Sequence, residues 1–154
     1  MIYNYFKKVI ITGGEGLIGK SIISVLSNNQ VKNLSLDISL DKHHNIVSPE
    51  IFNVLDELKP TLIIHAAAHP GGKSLEEPLQ NTLVNSQGSM NIIHWCLKNK
   101  VPLVFTSSSA VYGDQKMTML NEKMYTNPGT IYAINKVAVE NHIRLLFSYY
   151  KVPF

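Results

Sequence analysis

The apolar residues of this chain fall into short β-branched runs separated by amphipathic stretches. "KKVIIT" (Lys7–Thr12) reads as a strand that breaks on glycines. Leu17, Ile18, Ile22, Ile23, Val25 and Leu26 then recur at helical spacing, which predicts a helix over about Gly16–Asn28. "NLSLD" (Asn33–Asp37) predicts a second strand, and "SPEIFNVLDELK" a helix with Ser48 as N-cap and Pro49 at its first position. "TLIIHAAA" is a buried strand running into small residues. A long helical stretch over about Leu79–Asn99 follows, then a further buried strand in "VPLVFTSSS" and a last helix over about Gly129–Tyr150. Strands alternating with helices predict an α/β fold, a doubly wound parallel sheet with right-handed crossovers. Ligands on such sheets sit at the C-terminal ends of the strands. The positions to search are those after Thr12, Asp37, His65 and Ser107.

Composition narrows the picture. At 154 residues the chain is about one domain, and only 16% of it is charged, against a typical figure of about 25%. A low charged fraction suits a sheet covered on both faces. The net charge of +3 is scattered, with no run of Lys and Arg interleaved with aromatics, so no nucleic-acid partner is expected. The lone Cys96 excludes an internal disulfide and reads as filler on a buried helix face in a reducing compartment. "MIYNYFKKVIIT" lacks the pattern of a signal peptide, and no apolar run reaches the roughly 18 residues of a membrane span. The expectation is a cytoplasmic protein without a membrane partner.

"ITGGEGLIGKS" (Ile11–Ser21) carries two phosphate-binding patterns at once. Gly14, Gly19, Lys20 and Ser21 fit the loop of an ATP- or GTP-binding protein; Thr12, Gly13, Gly16 and Gly19 fit a loop that holds a dinucleotide pyrophosphate. The first reading needs a carboxylate at the end of an apolar strand to hold Mg²⁺, and "TLIIHAAA" ends in His and Ala. The second needs an acidic residue about 20 positions on, at the end of the second strand, to bind ribose. Asp37 stands there. Its carboxylate would repel the extra phosphate of NADP, which favours NAD.

Two further groups of residues bear on the choice. In "YAINK", Tyr132 and Lys136 are four apart on a predicted helix and share a face. An ammonium beside a phenol favours the phenolate, a base that can take a proton from an alcohol as its carbon gives up hydride. In "FTSSSAVYG" a buried strand breaks into consecutive hydroxyls at the ligand edge of the sheet, where one can hydrogen-bond the reacting oxygen.

The pieces "TGGEGLIG", Asp37, "HAAA", "NTLVNSQG", "SSSAVYG" and "YAINK" stand in the order found in the extended short-chain dehydrogenase/reductase family, the NAD-dependent sugar-nucleotide epimerases and their relatives, which this chain resembles from Lys7 to about Glu140. The resemblance implies a Rossmann-type domain with NAD as cofactor and a nucleotide sugar as substrate. Gly13, Gly16 and Gly19 would hold the pyrophosphate, with Leu17 and Ile18 approaching the cofactor. Asp37 would bind ribose, and Ile38, Asn45 and Ile46 would lie at adenine, Asn45 standing where the family usually has Asp. Ala66, Ala67 and Ala68 would let the cofactor pass close to the strand end, and Asn85 would be a structural and cofactor-side residue. Ser108 aligns with the catalytic hydroxyl. Tyr132 would be the general acid/base, with Lys136 binding the nicotinamide ribose and tuning it.

The departures also inform. Dehydratases of the family carry an Asp-Glu pair directly after the catalytic hydroxyl, where this chain has Ser109 and Ala110, which leaves epimerase or oxidoreductase. The link from Asp37 to Asn45 is too short for the helix that often follows the second strand, as in some sugar-nucleotide reductases. "YYKVPF" stops where the family's sixth strand would start, so residues 1–154 read as the NAD-binding domain without its substrate domain, poorly active alone. Three readings stay open: a sugar-nucleotide epimerase or reductase, a non-catalytic NAD-binding module, and a P-loop NTPase. The resemblance also implies a homodimer through the two long helices. His43 and His44 are read as solvated. His65 and His69 have no acidic or cysteine partner nearby in sequence, so no metal site is expected.

Overall fold

The computed structural model describes residues 6–115 and 119–154; residues 1–5 of the stretch read above for a signal peptide lie outside these. Four short parallel strands form the sheet: β1 (Val9–Thr12), β2 (Asn33–Leu36), β3 (Leu62–His65) and β4 (Leu103–Phe105), in the order β2-β1-β3-β4. The helices are α1 (Leu17–Asn28), α2 (Glu50–Leu58), α3 (Pro78–Thr82), α4 (Ser89–Asn99) and α5 (Ile131–Tyr150). Register is level at the functional edge. Thr12 lies beside both Leu36 and His65, and His65 beside Phe105. The loops leaving β1, β2, β3 and β4 therefore open onto one rim.

Period-two alternation sends neighbouring side chains to opposite faces and builds two cores. Val9, Ile11 and Leu62 meet Ile22, Ile23 and Leu26 of α1. Ile10, Leu36, Ile63 and Leu103 meet the larger core of α2, α4 and α5, including Ile51, Ile92, Val139 and Phe147. Trp95 lies in this core and donates its indole N–H to Asp56 Oδ1 at 2.7 Å. Cys96 is fully buried there, and burial pushes its thiol pKa up. Leu17, Ile18 and Val25, read in the sequence as part of the apolar face of α1, are exposed.

Two features depart from the simple alternation. After β2 the chain forms only a 3₁₀ turn at Lys42–His44 before α2, so β2 is an edge strand. The long helical stretch is interrupted by a π-helical turn at Leu83–Gly88 between α3 and α4. At the other edge, Lys151 ends α5 in the left-handed conformation, Val152 is buried, and Pro153 C=O accepts from Leu103 N–H at 3.3 Å.

Candidate functional site

The turn after β1 is set by close approach. Gly13 adopts φ +69°, and a Cβ there would lie 2.5 Å from Ala67 Cα. Gly19 faces the same turn from α1, where a Cβ would lie 2.2 Å from Gly13 O. Only glycine lets α1 sit this close to the loop. Gly16 is the N-cap of α1 and offers no side chain, so the first N–H groups of the helix are left for an anion. Leu17 and Ile18 flank them, Leu17 being 87% exposed. Lys20 pairs with Glu15 at 3.6 Å, and the Ser21 hydroxyl donates to Leu17 C=O at 3.0 Å, so both residues of the alternative P-loop reading are engaged elsewhere.

Asp37 leaves β2 beside this turn. Its carboxylate accepts from Ser39 N–H (3.0 Å), the Ser39 hydroxyl (2.8 Å) and Glu15 N–H (3.1 Å). Partial burial works against its ionisation, but these donors and the nearby His44 outweigh it and hold the pKa below the usual carboxylate value. A cleft of about 520 Å³ runs from Gly13 past Asp37 and Ile38 to Asn45, Ala67 and Ala68. Asn45 Oδ1 accepts from Val47 N–H at 3.0 Å, and Ile46 is buried in the larger core with its side chain against Gly88, backing the cleft wall. Ala66 donates its N–H to Thr12 C=O, which brings the small residues up to Gly13.

Asn85, in the π turn, holds the wall from behind. Its amide accepts from His69 N–H at 2.9 Å and donates to His69 C=O at 3.0 Å. Asn81 Nδ2 reaches Pro70 C=O, and Asn135 Nδ2 donates to Asn81 Oδ1 at 3.1 Å. Three buried asparagines thus tie the loop after β3 to α5. Sequence reasoning missed Asn81 and Asn135; the four-residue spacing of Asn81 and Asn85 was the available signal.

Across the rim, Thr130 caps α5 by accepting from Ala133 N–H, which puts Tyr132 in its first turn and Lys136 one turn on. Lys136 is 2% exposed. Its Nζ lies 4.5 Å from the Phe105 ring centroid and 5.7 Å from that of Tyr132, and donates to Thr106 C=O at 2.9 Å. Burial pulls its pKa down to about 8, with Glu140 opposing the fall. Gly71 packs on the Tyr132 ring, where a Cβ would lie 3.1 Å from Cδ1. Ser108 follows β4 and caps a 3₁₀ turn at Ser109–Tyr112, its Oγ accepting from Ala110 N–H at 3.2 Å.

Two histidines differ from the sequence expectation. His44 is half-buried and lines the cleft near Asp37. His69 has an acidic partner after all, Glu77 Oε2 at 2.7 Å, because the loop after β3 folds back on α3. Among the described residues no group of three His, Cys, Asp or Glu side chains is placed to hold a metal ion. No helix among them is long and apolar enough to cross a membrane.

A parallel sheet of this order, with a glycine turn opening α1, an acidic residue ending β2 and a cleft joining them, has the Rossmann-type architecture, a fold in which ligands sit at the C-terminal ends of the strands. Residues 9–154 match the model of the NAD dependent epimerase/dehydratase family, and the chain belongs to that family. UDP-glucose 4-epimerase of Thermus thermophilus, solved in complex with NAD, is 25% identical and superposes with a TM-score of 0.87 over 94% of this chain and 52% of its own. A dTDP-4-dehydrorhamnose reductase of Bacillus anthracis, solved with NADP, is 26% identical with a TM-score of 0.79 over 91% of this chain and 50% of its own. L-threonine dehydrogenase of Clostridium difficile, 20% identical with a TM-score of 0.86 over 96% and 51%, shares the fold. The chain spans about half the length of these structures.

Proposed function

We propose that this chain is the NAD-binding half of a cytoplasmic sugar-nucleotide epimerase or reductase. The observation that carries the reading is the Lys136 ammonium, buried between the Tyr132 ring and the end of β4 on the rim that also holds the glycine turn and Asp37. The fit to a dinucleotide rests on the close approach of Gly13 to Ala67 and on the uncapped first turn of α1. NAD, when bound, supplies a hydride acceptor.

The chain's own residues do the rest. Gly13, Gly16 and Gly19 admit the pyrophosphate to the start of α1. Asp37 accepts from the ribose hydroxyls and repels a 2′-phosphate, which favours NAD over NADP. Ile38, Asn45 and Ile46 bound the adenine end, and Ala66, Ala67 and Ala68 permit close passage. Lys136 donates to the second ribose and stabilises the Tyr132 phenolate. Tyr132 takes the hydroxyl proton of a sugar alcohol as its carbon is oxidised to a carbonyl, and Ser108 orients the oxygen. Ser109 and Ala110 supply no acid or base, which disfavours dehydration. The exposed Leu145 and Tyr149 of α5 fit a homodimer through the long helices.

Titration of the purified chain with NAD, NADP and ATP with Mg²⁺ tests this. Saturable binding of NAD, weaker binding of NADP and little turnover of a nucleotide sugar are expected. Mg²⁺-dependent binding of ATP without a response to NAD would overturn the reading.

A further inference from the structure

α5 presents Tyr132, Lys136 and Glu140 at successive turns of one face. Two bonds join this face to the end of β4. Lys136 Nζ donates to Thr106 C=O, and one turn on, Glu140 accepts the hydroxyl of Ser107. They grip adjacent residues immediately before Ser108. The groups that face Lys136 are Tyr132 and Glu140 on α5, the Phe105 ring on β4 and His65 on β3. Burial, helped by Lys136, keeps the His65 ring uncharged. Glu140 is thus the one anion acting on this ammonium among the described residues. Arg144, a further turn along, shares an open groove with Glu140 and Ser107. A buried ammonium without a counter-charge is costly, and a reactive pair keeps its geometry only when its supporting groups are themselves fixed.

We infer that Glu140 is a positioning residue of this site: it fastens the strand end bearing Ser108 to the helix face bearing Tyr132 and Lys136, and balances the Lys136 charge. The inference rests on the reading of Tyr132 and Lys136 as the proton-handling pair, yet its test does not need the cofactor. Charge and fastening are separable. Glu140→Gln removes the charge and keeps an acceptor for Ser107, whereas Ser107→Ala removes the fastening and keeps the charge.

In the lysine-labelled 154-residue chain, the Lys136 side-chain resonance, assigned with Lys136→Arg, is followed against pH. The wild-type midpoint is expected at about 8. In Glu140→Gln it should drop by about one pH unit, as for a lost neighbouring charge, and stay in place in Ser107→Ala. Amide exchange at 106–110 should quicken in Ser107→Ala. A Glu140→Gln midpoint equal to wild type, or exchange at 106–110 unaltered in Ser107→Ala, would overturn the inference. The second readout stands alone if Glu140→Gln does not fold. In a parallel arm, failure of the wild-type chain to bind NAD would count against the proposed function while leaving the lysine titration to judge Glu140.

Discussion

The hydrogen bonds around His65 leave its ring one arrangement. The Ser89 hydroxyl donates to Asn85 C=O at 2.7 Å, so it accepts from His65 Nε2–H at 2.9 Å. Nδ1 is then bare and accepts from the Thr12 hydroxyl at 2.6 Å. The ring is fully buried, and this burial pulls the pKa from 6.5 to about 3, with the Lys136 charge adding to the effect. The unfolded chain binds this proton below about pH 6.5 and the folded chain does not, so stability is complete above that pH and falls as pH drops towards 3. Urea unfolding should lose about 2 kcal/mol between about pH 7 and about pH 5 from this group. His65→Asn should unfold with a flatter dependence over the same range. That Gly13, Asp37, Tyr132 and Lys136 share one rim of the sheet was legible in the sequence, because each belongs to a local spacing at a strand or helix end. His44, Asn81, Asn135 and Glu140 were not, because their roles arise from contacts between elements far apart in the chain.

Among the elements, the π turn between α3 and α4 holds the loop after β3. Widening the helix by one residue brings the Asn85 amide against the His69 peptide, which it satisfies at both N–H and C=O. Asn85→Ala would strand two partly buried backbone groups and release the loop that carries Gly71 against Tyr132. A loss of about 2–4 kcal/mol in chemical denaturation is expected, with NAD affinity reduced alongside. The apolar pattern showed one helix over this whole stretch. A single inserted residue shifts the period too little to see against 3.6-residue spacing, whereas the strands were visible because β-branched runs mark them. The strands came out shorter than their apolar runs, since pairing stops where the ligand loops turn away.

For the molecule as a whole, the larger core extends to the last residues. Val152 is buried, the Phe154 ring stands edge-on to Phe147 at 5.9 Å, and Pro153 bonds to β4. Deleting residues 152–154 should lower the unfolding free energy by about 2–4 kcal/mol, from one buried Val and one aromatic pair. The bond from Leu103 N–H to Pro153 C=O lies on the side of β4 away from β3. Val104, on the face of the sheet that holds α1, is 47% exposed, because α1 covers β1 and β2 but not this edge.

The division into two cores gives the chain a built-in optical asymmetry. Its single tryptophan, Trp95, is 4% exposed and lies wholly within the larger core. Its emission therefore follows the opening of α2, α4 and α5 and is blind to the layer beneath α1. Far-ultraviolet dichroism sees both layers. A dichroism change that precedes the red shift of Trp95 would mark the glycine turn and α1 peeling away first, while the wall bearing Tyr132 and Lys136 still stood.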